Sequence, residues 1–121
     1  MTQAILPRLK SVGENLTATV ETTVYTCPPN FTARVDLVFV TNNTNGNKAI
    51  TIKWYDNTTD TDYFISPSYV ISAYGFLQLS DGYLIMNAGD KLKFTSDTAS
   101  TMSAVVSVAE FFDPANPNVV T

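Results

Sequence analysis

Three aspartates in one short segment, Asp56, Asp60 and Asp62, lie with Asn57, Thr58 and Thr59 and offer hard oxygen ligands that a calcium ion could collect from a single turn. Their spacing departs from the helix–loop–helix calcium pattern, which needs glycine at its sixth position and glutamate at its twelfth. Counted from Asp56, those positions hold Thr61 and Pro67. Three like charges in a solvated turn need no ion, so the aspartates stand only as calcium candidates. Glu110 is the other acid that draws notice, because it interrupts the apolar run MSAVVSVAEFF. General acid catalysis would need a second carboxylate held nearby on another strand, and none is indicated. Glu110 is therefore expected to face outward or to pair with a lysine such as Lys91 or Lys93. Cys27 is the single cysteine and the chain has no histidine, which removes an intrachain disulfide, a thiolate metal cluster and the histidine-activated nucleophiles. The thiol reads as a small apolar filler beside Pro28-Pro29. Asn15, Asn30, Asn42 and Asn57 each begin a glycan-acceptor triplet, yet they read equally as loop asparagines beside strand threonines. Tyr55, Tyr63, Tyr69, Tyr74 and Tyr83, with Phe64 and Phe76, could floor a sugar-binding groove, and core packing and subunit contacts explain them at least as well. The residues assign no catalytic set and no cofactor, and the chain reads as a non-enzyme.

Bulk properties limit the partners. A chain of 121 residues forms one domain around one core. Hydrophobic residues reach 45% while charged residues are only 15%, so threonine, asparagine and serine must supply most of the surface polarity. Such a surface suggests self-association. The net charge is −4, and the basic residues Arg8, Lys10, Arg34, Lys48, Lys53, Lys91 and Lys93 are scattered, which argues against a nucleic-acid partner. The opening MTQAILPRLK lacks a long apolar core, and no run approaches bilayer-spanning length. The expectation is a soluble chain with no membrane partner and no cleaved export signal.

The elements that must position these residues are all of one kind. Short Val/Ile/Thr/aromatic runs alternate with Asn, Asp, Gly and Pro, and no helical period intervenes. The fold class is all-β, an antiparallel β-sandwich of jelly-roll or immunoglobulin-like form with about eight to nine short strands. Residues 1–15 read as an N-terminal arm or edge strand, 16–112 as the sandwich and 113–121 as a polar tail. Within this scheme residues 4–10 form a lone edge strand or an extended tail, because Pro7 cannot donate to a ladder. Residues 16–26 form one half-buried strand. Phe31–Asn42 follows with Ala33, Val35, Leu37 and Phe39 facing the core. Asn45-Gly46 predicts a hairpin, with Lys48–Asp56 returning antiparallel and Trp54 as a core anchor. Residues 63–71 are broken at Pro67 by a bulge or an edge position. Further strands cover 74–79, 83–86, 91–95 with Leu92 and Phe94 inward, and Met102–Phe112.

The segments TTVYTCPPNFTARVDLVFVTN, KAITIKWYD, LIMNAGDKLKFTS and MSAVVSVAEFF together resemble small β-sandwich virion proteins of tailed bacteriophages, over roughly residues 22–112. The resemblance implies a virion structural protein made in the host cytoplasm. Its most apt role is capsid decoration or cement, bound to the outer capsid surface and stabilising the shell. The implied partners are the major capsid protein or other virion proteins, with the chain itself a homo-oligomer and a trimer favoured. The alternative is a tail, neck or fibre component that contacts host glycans. The expected partner-binding residues are Ile5, Leu6, Pro7, Arg8 and Leu9 of the arm, together with Tyr63, Tyr69 and Tyr74.

Overall fold

Alternating β-favouring runs bury one side-chain row and leave the other wet, so they must pair into sheets that face each other across a core. A computed structural model describes residues 6–17 and 19–114. Among these residues there is no helix, and nine strands form: β1 Arg8–Leu16, β2 Thr22–Thr26, β3 Phe31–Asn42, β4 Lys48–Asp56, β5 Thr61–Ile71, β6 Phe76–Leu79, β7 Leu84–Met86, β8 Lys91–Ser96 and β9 Met102–Phe112. One sheet has the order β1-β9-β3-β6, with β7 also paired to β3, and the other has the order β2-β8-β4-β5. All pairs are antiparallel. First strand pairs with last, second with second-last, and so inward to β4 with β5. That nesting is the jelly-roll winding, and it decides against the immunoglobulin-like alternative. The inner faces meet through Val35, Val38, Val40, Ile50, Ile52, Leu92, Phe94 and Val106, all buried.

Several local expectations change. The stretch 16–26 is not one strand: Leu16 closes β1 in the first sheet, and Thr22 opens β2 in the second. The lone strand expected over 4–10 lies instead at Arg8–Leu16, where it pairs with β9. Asn45-Gly46 does not make a hairpin, because β3 and β4 belong to different sheets. The buried Asn42 side chain organises the crossing. Its Nδ2 donates to the Gly46 carbonyl at 2.8 Å and the Ile71 carbonyl at 3.0 Å, while its Oδ1 accepts from the Thr44 N–H at 3.0 Å. Gly46 needs no left-handed backbone for this.

The expected core face of β3 holds only halfway. Ala33 and Val35 point inward, but the register against β9 slips between Val35 and Leu37, so Val38 and Val40 take over the inner row. A single extra residue moves every later side chain to the other face. Phe39 therefore sits outside the core, stacked on Phe76 with ring centroids 5.1 Å apart. The interruption at Pro67 is present on the edge strand β5, with Ile50 opposite Tyr69 and Ile52 opposite Ser66. Ser68 takes a φ of 45° there and its N–H donates to Thr51 Oγ1 at 3.0 Å. Trp54 is half-buried against the core and stacks on Tyr63 at 5.3 Å.

Candidate functional site

The inner row of β9 runs through Ala104, Val106 and Val108, and the same alternation carries Glu110 inward. Glu110 is 0% exposed, which corrects the outward or lysine-paired placement. Its Oε1 accepts from Arg8 Nε at 2.8 Å and meets Arg8 Nη2 at 2.7 Å, while its Oε2 accepts from the Tyr25 hydroxyl at 2.5 Å. One carboxylate therefore ties β1 and β9 of one sheet to β2 of the other. Burial pushes its pKa up, but the Tyr25 hydroxyl and the Arg8 guanidinium outweigh burial and hold the carboxyl below its usual range. Burial first, and then Glu110, raise the Tyr25 phenol well above its ordinary value. The Arg8 guanidinium covers the group from outside, 4.4 Å from the centre of the Phe31 ring. With Glu110 enclosed and both oxygens engaged, the cluster is an inter-sheet clasp and not an acid catalyst.

The lysines once expected as its partners are occupied elsewhere. Lys93 Nζ lies 3.1 Å from Asp62 and 3.6 Å from Glu21, and Lys91 lies 5.5 Å from the centre of the Tyr55 ring. The aspartate triplet is likewise spent on the protein itself. Asp56 accepts from the Thr58 N–H and the Thr59 hydroxyl, both at 3.0 Å, Asp60 accepts from the Tyr55 hydroxyl, and Asp62 pairs with Lys93. Among the described residues no three His, Cys, Asp or Glu side chains converge as metal ligands.

Cys27 is fully buried. Burial is the main cause that pushes its thiol up to about 11, with Asp90 and Glu110 adding to it. The folded protein is expected to resist thiol reagents at neutral pH and to react at one site per chain once denatured. Rapid labelling of the native protein would contradict this burial.

The outer surface offers the interaction features. Strand edges β5 and β6–β7 lie on the same side of the sandwich and border a cavity of about 330 Å³. Val35, Val38, Ile65, Leu79, Tyr83, Leu84 and Leu92 line it, with Gln78, Ser80 and Asp81 as polar neighbours. Tyr83 (70% exposed) stands at the cavity, Phe64 (64%) projects from β5 with its ring centre 5.3 Å from Lys53 Nζ, and Tyr69, Val70, Tyr74, Phe76 and Ile85 are also exposed. Tyr63, Tyr69 and Tyr74 of the expected partner-binding set thus all reach solvent, although Tyr63 is also anchored on Trp54. The arm residues belong elsewhere: Leu6, Arg8 and Leu9 lie at or just before the β1 edge, where Leu6 and Leu9 are exposed, Pro7 is half-buried and Arg8 serves the clasp. Ile5 lies outside the described residues. Sequence reasoning missed Ile65, Leu79 and Leu84 and the cavity between them. The available signal was the unalternated run YFISPSYV, which cannot present a single buried face.

No protein-family model and no curated protein matches this chain. Among solved structures, a chain in the crystal structure of the T13 IBDV viral particle shares its fold, with a TM-score of 0.55 and 9% identity over 91% of this chain and 32% of that one. This chain therefore spans about a third of that neighbour. A chain of the cyanophage Pam1 capsid asymmetric unit gives a TM-score of 0.36 at 16% identity, over 94% of this chain and 91% of that one.

Proposed function

We propose that the chain is a non-enzymatic virion structural protein, a capsid decoration or cement protein that attaches to the outer capsid surface. The observation that carries this reading is the apolar edge formed by β5, β6 and β7 around its cavity, on a domain whose Glu110 cluster and aspartate turn serve its own fold. Exposed aromatic and aliphatic groups beside a cavity are the form expected of a protein-binding surface. The jelly-roll winding shared with a chain of a viral particle supports the virion setting. Attachment across capsomer joints found only in the expanded shell would stabilise that state by mass action.

The test is to label the chain on purified virions. Label distributed over the whole capsid supports cement. Label confined to one vertex overturns it in favour of a tail, neck or fibre component, for which the exposed tyrosines would stack on host glycans. In a reconstitution on shells lacking the chain, Phe64→Ser with Tyr83→Ser is expected to weaken binding about tenfold or more, with little change in melting temperature, because both side chains are already largely in water. Unchanged occupancy would remove the edge from the interface. The arm needs a finer probe than deletion of residues 1–11, since that deletion also takes Arg8 from Glu110 and cuts into β1. Leu6→Ser with Leu9→Ser removes the exposed apolar groups and leaves the clasp in place.

A further inference from the structure

The sandwich has four strand edges, and three are protected. β2 has 5 residues and loses register against β8 between Thr23 and Tyr25. β5 carries Pro67 and its bulge. The far edge of the first sheet is split into β6, with 4 residues, and β7, with 3. Shortness, bulges and proline deny a sheet edge to another chain. The edge β1 lacks all three: its 9 residues run in unbroken register with β9, from Arg8 opposite Glu110 to Leu16 opposite Met102. Pro7 precedes the strand and does not interrupt it.

Inward-pointing charges are another common guard, and β1 has two of them, Lys10 and Glu14. They are opposite in sign, they lie two residues either side of Val12, and neither has an ion-pair partner among the described residues. Two like charges at these positions would repel a second copy. Opposite charges placed symmetrically about a centre favour one arrangement. When two β1 strands run antiparallel with their Val12 residues opposed, Lys10 of each copy faces Glu14 of the other. Sliding the pairing by four residues sets Lys10 against Lys10, or Glu14 against Glu14. In the favoured register the outer face sets the small Ser11 opposite Gly13 near the centre and Leu9 opposite Asn15 toward the ends. We propose that β1 pairs with β1 of a second copy of this chain about a two-fold axis at Val12, joining two sheets into one continuous sheet. The proposal is independent of where in a virion the chain resides.

Sedimentation equilibrium of the full chain tests it, with thermal unfolding of each variant to check the fold. Wild type is expected to show the mass of two chains, dissociating on dilution. Lys10→Glu alone, or Glu14→Lys alone, brings like charges together at both ends of the symmetric pair, and each should weaken the dimer about tenfold. The combined K10E/E14K variant restores opposite signs and should return to within about threefold of wild type. The mass of one chain at every concentration, or of three chains, overturns the proposal. It is equally overturned if the single changes have no effect, or if the combined variant stays as weak as they are.

Discussion

Replacing Asp90 with alanine is expected to lower the stability of the fold by about 3–5 kcal/mol, and its melting temperature by on the order of 10–20 °C. Asp90 is 0% exposed and makes no ion pair with a described residue; what it has are three N–H donors. Its Oδ2 accepts from Trp54 Nε1 at 3.2 Å and from the Asn87 N–H at 2.9 Å, and its Oδ1 accepts from the Asn57 N–H at 2.9 Å. Its own carbonyl accepts from the Cys27 N–H at 2.9 Å. The turns after β2, β4 and β7 therefore converge on one residue. Alanine would take the shared acceptor from two backbone donors and an indole N–H around a side chain that is itself fully buried, and each donor that water does not reach costs about 1–3 kcal/mol. Asp90→Asn separates this from lost volume, because the amide keeps the shape but turns one acceptor into a donor facing a donor. It should cost about 1–2 kcal/mol. Chemical unfolding followed by Trp54 fluorescence measures both, and an asparagine variant as stable as wild type would contradict the three-donor account. The preceding Gly89 serves the same junction: its φ is +90°, and a Cβ there would stand 2.5 Å from Asn57 Nδ2, so Gly89→Ala should also destabilise.

What could be read from the sequence follows the range of the interactions. β3, β4 and β9 match their expected bounds because each is a long alternating run closed by turn residues, and strand propensity and burial there agree. The tight turn at Asn87–Asp90 follows from its own residue types, and it closes with the Asp90 N–H donating to the Asn87 carbonyl at 2.9 Å. That its aspartate receives donors from Trp54 and Asn57 could not be read, since those residues approach only once β4 is in place. The Asn45-Gly46 error has the same origin: turn propensity is local, and it cannot say whether a connection returns within a sheet or crosses to the other. The slip at Asp36 was hidden because LVFV is apolar on both rows, so either phase satisfies the pattern. Glu110 is the instructive case. The alternation through Ala104, Val106 and Val108 pointed inward, and the general exposure of carboxylates pointed outward. The outcome depended on Arg8, 102 residues earlier, which no local pattern connects to it. The candidate surface was legible as a set of exposed tyrosines but not as a cavity, because Ile65 and Leu79 belong to different sheets.

Arg8→Ala is expected to cost more than Glu110→Gln, although the arginine side chain is 56% exposed and the glutamate wholly enclosed. Removing the glutamate's charge frees Arg8 into water and leaves an amide oxygen to accept from Tyr25, at about 1–2 kcal/mol. Removing the arginine leaves a buried carboxylate with one hydroxyl donor, which costs about 3–5 kcal/mol near neutrality. The pH dependence then has a definite sign. In the wild type the Glu110 pKa is depressed in the folded state, so its contribution is present above the ordinary carboxylate range and is lost as pH falls through the folded value. Without Arg8, only the Tyr25 hydroxyl and the Lys10 charge oppose burial, so the folded pKa should rise from its wild-type position. Protonation then relieves the variant as pH falls from neutrality toward about 4.5, while the wild type is losing its own contribution over the acid end of that range. The stability gap between them should therefore narrow steadily on acidification, as measured by urea unfolding at several pH values. Glu110→Gln in the Arg8→Ala background should recover part of the loss at neutral pH, because the uncompensated charge is gone. A gap that stays constant with pH would mean that Arg8 acts through its packing over the Phe31 ring and not through its charge.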